Sequence, residues 1–389
     1  MDRNIKLAYI LSYIKTSWFF LGVWVFYYLR YTNYAGIGLI ETVLIVTTTI
    51  TEIPTGAIAD LLGKKYTLTL SFVFQFLCNL LMALAPNFQM LLFSVFLGAI
   101  GGSLYSGTLD ALVYDSLKQN KQESRFDKII TNIGSLQLIA IIIAGSLSGL
   151  LYSINPSLPF FTLSIFYFIA FLLTFLLQEP KIDTEKFNIK NFIFQTKQGF
   201  NQLFQSKNLI NQTLLLLSVG GFLVIADEMM DNILVIEFGY KPVEVGLIIS
   251  FIFLIAVIFS RLTPKINHYF GTNKAIFILG LFTGITFIIS PFVGIVAGTI
   301  SLIFRQSFAS TLNNLTSISI NQNTDSRYRA TTISSFNMIK NFPYVVGAFF
   351  LGNLMDLFTA RKIAFVLGLL MIILILSQFK RLQSKSVPN

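Results

Sequence analysis

Apolar runs of about twenty residues recur along the whole chain, and this recurrence constrains the fold more than any other feature. A run of that length crosses the hydrocarbon of a bilayer as one α-helix. The runs predict spans near 5–29, 35–58, 66–85, 88–117, 129–153 and 158–178. A second group follows near 209–237, 242–262, 274–292, 293–320, 330–354 and 362–380. The boundary between 292 and 293 rests on Ser290-Pro291 and nearby glycines. Composition supports the reading. Of 389 residues, 54% are hydrophobic and 12% charged, against about 25% charged in a soluble domain. Mean hydropathy is +0.71. Such a chain needs lipid as its solvent over most of its surface. The expectation is an all-α membrane protein of twelve transmembrane helices in two six-helix bundles.

The net charge of +10 does not indicate nucleic acid, because the positive residues alternate with apolar spans and do not gather into one patch. With the N-terminus placed inside, 21 Lys and Arg fall on inner segments and 4 on outer ones. The positive-inside rule therefore places both termini in the cytoplasm. The first apolar run has no small-residue cleavage site and reads as a transmembrane helix, not a signal peptide. Cys78 is the only cysteine, so no intrachain disulfide can form.

One long polar stretch, residues 179–208, separates residues 1–178 from 209–389. It holds Lys181, Lys186, Lys190, Lys197 and Lys207 with Phe187, Phe192, Phe194 and Phe200 interleaved. It reads as an amphipathic cytoplasmic linker on the membrane surface or as a solvated loop. The halves resemble each other. Ser124-Arg125-Phe126 and Ser326-Arg327-Tyr328 open the fifth and eleventh spans, and the same offset carries Gly145 onto Gly347. Gly56, Asp60, Gly63 and Lys64 have a worn counterpart in Pro264, His268, Gly271 and Thr272. An internal duplication follows.

Between the second and third spans lies Gly56-Ala-Ile-Ala-Asp60-Leu-Leu-Gly63-Lys64-Lys65, preceded by Glu52-Ile-Pro54-Thr. This segment resembles the G-x-x-x-D-x-x-G-[RK]-[RK] signature of the major facilitator superfamily. Span count, linker and duplication extend the resemblance over the whole chain, toward bacterial, drug-efflux-like members. Physical chemistry agrees with the motif. Gly56 permits close helix approach, Gly63 a tight turn, and Asp60 sits where Lys64 and a helix N-terminus can hold it. In the family the motif is a conformational latch joined by a fourth-helix carboxylate. The resemblance assigns that role to Gly56, Asp60, Gly63, Lys64, Lys65 and Asp115. The alternative is that these charges only mark helix ends in water.

Two departures set the chain apart from drug–proton antiporters. Ser94 stands four residues before Gly98, where many carry Arg. Gly145-Ser146-Leu147-Ser148-Gly149 lacks the Gly-Pro of the antiporter signature.

Ionisable residues within spans each cost about 2.5–3.5 kcal/mol at mid-membrane on insertion scales, so they persist where paired, hydrated or useful. The resemblance implies a central cavity lined by spans 1, 4, 7 and 10. These carry Lys15, Asp110, the cluster Asp227, Glu228 and Asp231, and Arg305, while Lys340 lies on span 11. In a regular helix Asp227 and Asp231 share a face, with Glu228 turned about 100° away. Crowded, poorly hydrated carboxylates are candidates to exchange a proton near neutral pH. Asp227 is alternatively a fixed partner of Lys340 or Arg305, or the three acids sit in an outer vestibule. Asp110 with Tyr114 one turn on is a second proton-carrier candidate. Lys15 and Arg305 are candidates to attract an anion, whereas the excess of acids favours cationic or zwitterionic solutes.

No phosphate-cradling glycine loop or nucleophile elbow is present, and one His with one Cys cannot build a zinc site. The expectation is a cofactor-free, non-enzymatic carrier in the cell membrane, working as a monomer by alternating access. Its partners are a small molecule, lipid and protons. Export of an amphipathic or cationic compound against protons is the first form. Uptake by symport is the second, and a lipid-handling membrane protein the third.

Overall fold

A computed structural model describes residues 3–180, 189–205, 207–323 and 329–383. Within these, the side chains at 53–61, 189, 191–192, 195, 207–208, 321–323, 329–331 and 379–383 are not described. The described residues are helical, with no β-strand among them. They form two compact units. The first comprises Met1–Asn188 with Pro242–Ser250, the second Ile189–Lys241 with Phe251–Asn389.

The first unit contains α1 (Arg3–Lys15), α2 (Trp24–Tyr28), α3 (Tyr34–Leu62), α4 (Lys64–Ala83), α5 (Phe88–Tyr105), α6 (Thr108–Gln119), α7 (Phe126–Ile154) and α8 (Leu158–Thr174). Its core joins Ile5, Leu11, Leu68, Phe72, Leu112 and Leu163, each at most 1% exposed. α4 packs along α5 and α8. Between α4 and α5, Ser71 Oγ donates to the Gly101 carbonyl at 2.6 Å and Gln75 Nε2 to that of Gly98 at 3.0 Å. The second unit contains α9 (Ile189–Leu203), α10 (Lys207–Ile225), α11 (Asp231–Phe238), the part of α12 (Pro242–Ser260) from Phe251 on, α13 (Thr263–Phe270), α14 (Thr272–Ile288), α15 (Ile295–Asn323), α16 (Arg329–Leu357) and α17 (Ala360–Gln383). Here α14 and α17 cross closely. A Cβ on Gly368 would meet the Gly284 carbonyl oxygen at 2.7 Å, so only a residue without a side chain brings the backbones together.

Among the described residues, eight helices are long and apolar enough to cross a membrane. A ninth span arises if α13 and α14, bent by 112° at Gly271, count as one. The other expected spans fall short for visible reasons. The first is broken, and α8 has 17 residues. α16 is long but carries Ser334, Ser335, Asn337, Lys340 and Asn341.

Three spans expected to be continuous are not. The first unwinds over residues 16–23. There Thr16 Oγ1 and Ser17 Oγ donate back to the Ser12 and Tyr13 carbonyls, at 3.0 and 2.8 Å, competing with the helix backbone. Gly22 then takes φ +84°. Ser148 Oγ donates to the Leu21 carbonyl at 2.7 Å, and Tyr167 Oη and Trp18 Nε1 donate to that of Lys15, both at 3.2 Å. Backbone groups released inside a membrane protein need such partners. The fourth span breaks between α5 and α6 at Gly107, whose φ of +70° is in the left-handed region where a side chain is strained. The seventh carries a single π-helical turn, Ala226–Met230, between α10 and α11.

Candidate functional site

Each irregularity coincides with a charge the sequence placed inside a span. Lys15 ends α1 at the first break, Tyr105 and Asp110 flank the second, and Asp227 and Glu228 lie in the π-turn. Single π-turns and broken helices recur at functional sites in membrane carriers because they free backbone and turn side chains off the regular register.

The seventh-span acids and their cations all belong to the second unit. Across the π-turn Asp227 interacts electrostatically with both Glu228 and Asp231. Asp227 and Glu228 are exposed side by side, while Asp231 turns to Arg305. Asp231 Oδ1 lies 3.0 Å from Arg305 Nη1, with the arginine side chain fully buried. The guanidinium carbon sits 4.5 Å from the centre of the Phe287 ring, a cation–π contact. Asp231, not Asp227, is therefore the arginine's partner. Gln306, next to Arg305 on α15, approaches Asp227. Lys340 interacts electrostatically with both Asp227 and Glu228 but forms a direct ion pair with neither. Its stem crosses α10 at Gly220, where a Cβ would come within 2.9 Å of Lys340 Cδ. Three carboxylates thus face two cations. One pair is neutral, and Asp227 and Glu228 share the remaining ammonium.

In the first unit, Lys15 has no acidic partner among the described residues. Its ammonium lies over two tyrosine rings, 5.6 Å from the centre of Tyr105 and 5.9 Å from that of Tyr167. Contacts of this kind contribute about 0.5–2 kcal/mol each, and the negative end of the α1 dipole adds a favourable term. Tyr167 is fixed from behind by Phe72, which also touches Tyr105. Asp110 and Tyr114 are both exposed on α6, one turn apart. Tyr114 packs edge-on against Phe126, and Asp110 interacts with Tyr105.

At the motif loop, Lys64 Nζ is 2.5 Å from Asp115 Oδ2, with 12% and 8% of the two side chains exposed. Gly63 turns at φ +92° to start α4. Lys65 Nζ donates to the Phe175 carbonyl at 2.9 Å. Gly56 and Asp60 fall on α3, but their side chains lie outside the described residues.

The sequence reading missed Glu179. Its carboxylate accepts from the backbone N–H groups of Lys64 and Lys65, both at 2.7 Å, and caps α4 bidentately. Glu237 likewise accepts from Ala360 N at 2.7 Å and Arg361 N at 3.0 Å, capping α17. No local signal marks either residue, because each partner lies more than a hundred positions away. Tyr105 and Tyr167 were also missed, as two of 15 tyrosines in an aromatic-rich chain. In the linker, α9 is an amphipathic helix packed along α16, while Lys181, Lys186 and Phe187 lie outside the described residues.

The helices of membrane-spanning length are thus broken or distorted where they carry charge. The family model of the Major Facilitator Superfamily matches residues 7–348, and the chain belongs to that family. An uncharacterized MFS-type transporter, YxaM of Bacillus subtilis (strain 168), is 25% identical over 208 residues. The matched stretch spans 52% of this chain and 50% of that relative. Among solved structures, the nucleoside transporter NupG superposes with a TM-score of 0.79 at 16% identity, over 98% of this chain and 99% of its own. A POT family transporter in complex with 5-aminolevulinic acid gives 0.77 at 13% identity, covering 99% and 97%. At these identities the likeness establishes the fold.

Proposed function

We propose that the chain is a proton-coupled carrier of a small organic solute, with Asp227 and Glu228 as the groups that take up and release the proton. The observation behind this reading is their placement together in a π-turn with only Lys340 to share. A carboxylate pair short of one counter-charge gains from binding a proton, and an arriving or departing solute can shift that balance. Asp231 is already neutralised by Arg305 and serves as a fixed structural pair. Asp110, exposed beside the Gly107 break, is a second proton site. The loop residues Gly56, Asp60, Gly63, Lys64, Lys65 and Asp115 act as a conformational latch, with Glu179 as an added clamp on α4.

The proposed arrangement is twelve spans in two six-helix halves, 1–178 and 209–389, joined by the linker 179–208. Both termini face the cytoplasm and the protein works as a monomer in the cell membrane. Export of a cationic amphipath rests on the excess of acids in the seventh span. Symport is a second reading, favoured by Lys15, whose ammonium lacks a carboxylate partner among the described residues. The test is internal pH of proteoliposomes under a proton gradient, challenged with panels of lipophilic cations and organic acids. Solute-dependent proton flux that Asp227→Asn or Glu228→Gln removes supports the reading. Solute flux that ignores the proton gradient contradicts it.

A further inference from the structure

We infer that Lys15, Tyr105 and Tyr167 form a subsite in the first unit for the carboxylate of an organic acid. The inference rests on the symport reading of the proposed function and names the acidic group of that solute. An ammonium carries three donors and no acceptor, and it favours a compact oxygen anion. Lys15 makes no hydrogen bond and no ion pair among the described residues, and its neighbours offer ring faces rather than oxygen acceptors. Asp110 interacts with Tyr105, while the thiol of Cys78 is the group that interacts with Lys15.

A second observation points the same way. The Tyr105 hydroxyl is buried and has no partner at hydrogen-bond distance among the described residues; the Ser12 hydroxyl beside it already accepts from Gln137 Nε2 at 2.8 Å. A buried unpaired hydroxyl is costly, and a carboxylate beside Lys15 is the acceptor that answers both groups at once. Tyr167 cannot play the same part, because its hydroxyl is committed to the Lys15 carbonyl at 3.2 Å. Tyr167 is therefore a wall that holds the lysine backbone and shields its charge.

The charge count selects the ligand class. One ammonium balances one negative charge, and among the described contacts of Lys15 there is no arginine fork to take a phosphate in two-point fashion. The rings of Tyr105, Tyr167 and Phe72 give apolar flanks suited to a carboxylate on a small hydrophobic body. The unwound stretch 16–23 places this group where α1 ends and not midway along a regular helix.

The test uses the purified full chain in detergent, with thermal unfolding and equilibrium titration as readouts. The probes are benzoate, its neutral isostere benzamide, and inorganic phosphate. Benzoate is expected to raise the unfolding midpoint of the wild type, with benzamide and phosphate inert. Lys15→Gln should weaken benzoate binding at least tenfold. Tyr105→Phe, which keeps the ring and loses the hydroxyl, should weaken it at least threefold. Lys15→Arg keeps the charge and should retain measurable binding, which separates loss of the site from loss of the fold. Equal effects of benzamide and benzoate overturn the inference, as do unchanged binding in Lys15→Gln, preference for phosphate, or no stabilisation at millimolar benzoate. The titrations run at fixed pH without a proton gradient, so they read the subsite whether or not Asp227 and Glu228 carry the proton. Failure of proton coupling and failure of this subsite are thereby read separately.

Discussion

Arg305 and Asp231 face each other at 3.0 Å, and the arginine side chain has no exposed surface. This one pairing decides how the remaining charges of the second unit are shared. With Arg305 satisfied by Asp231, Lys340 alone is left for Asp227 and Glu228. Removing the carboxylate leaves a buried guanidinium without a counter-charge, which costs about 3–5 kcal/mol. Asp231→Asn should therefore lower the thermal midpoint of the detergent-purified protein strongly. The double replacement Asp231→Leu with Arg305→Met should recover most of the loss, because removing both charges avoids the orphan. A double variant as unstable as the single one would show that the pair does more than neutralise itself.

Glu179 caps α4 through two backbone N–H groups. Loss of a capping acceptor costs about 0.5–2 kcal/mol, and a negative charge at a helix N-terminus adds a few tenths or more. Glu179→Ala should reduce stability by about 1–2 kcal/mol in reversible unfolding, with Glu179→Gln intermediate. If the loop is a latch, both should also change the rate of solute exchange without altering affinity at Lys15.

Lys64 and Asp115 form a largely buried pair at the start of α4 and in α6. Asp115→Asn should impair transport by at least tenfold, and the exchanged pair Lys64→Asp with Asp115→Lys should restore part of it. Transport rates in proteoliposomes measure this. No rescue by the exchange would mean that the loop reads the position of each charge and not the pair.

Glycines divide sharply by surroundings. A Cβ on Gly368 would strike the Gly284 carbonyl, whereas one on Gly134 meets nothing within 4 Å. Gly368→Ala should destabilise by about 1–3 kcal/mol, in the range of other overpacked sites. Gly134→Ala should be neutral or stabilising by up to about 1 kcal/mol, since Gly is the poorer helix former. Thermal midpoints of the two variants, measured side by side, decide it.

The apolar runs were enough to locate α3, α4, α7, α8, α12 and α14 to α17 within a few residues, because a span must be long and apolar whatever it packs against, but they gave no helix at α13. The resemblance placed Lys64 and Asp115 in one cluster with Asp60, and Lys64 pairs with Asp115. What escaped was set by distant partners. The break at 16–23 depends on Ser148 and Tyr167, which are 127 and 152 positions from the carbonyls they hold. The cap on α4 comes from Glu179, 115 positions beyond Lys64. The π-turn at Ala226–Met230 adds a residue to one turn of the seventh span. A one-residue change of register leaves no trace in hydropathy.

The central claim is that Asp227 and Glu228 exchange a proton during transport. Its most direct measurement is proton movement into proteoliposomes on addition of a transported solute, comparing wild type, Asp227→Asn, Glu228→Gln and the double variant. The account predicts solute-driven proton flux in the wild type, a reduction of at least tenfold in each single variant and none left in the double one. Solute exchange without a gradient should persist in all four. Undiminished proton flux in the double variant would contradict the account and move the coupling site elsewhere, with Asp110 next in line.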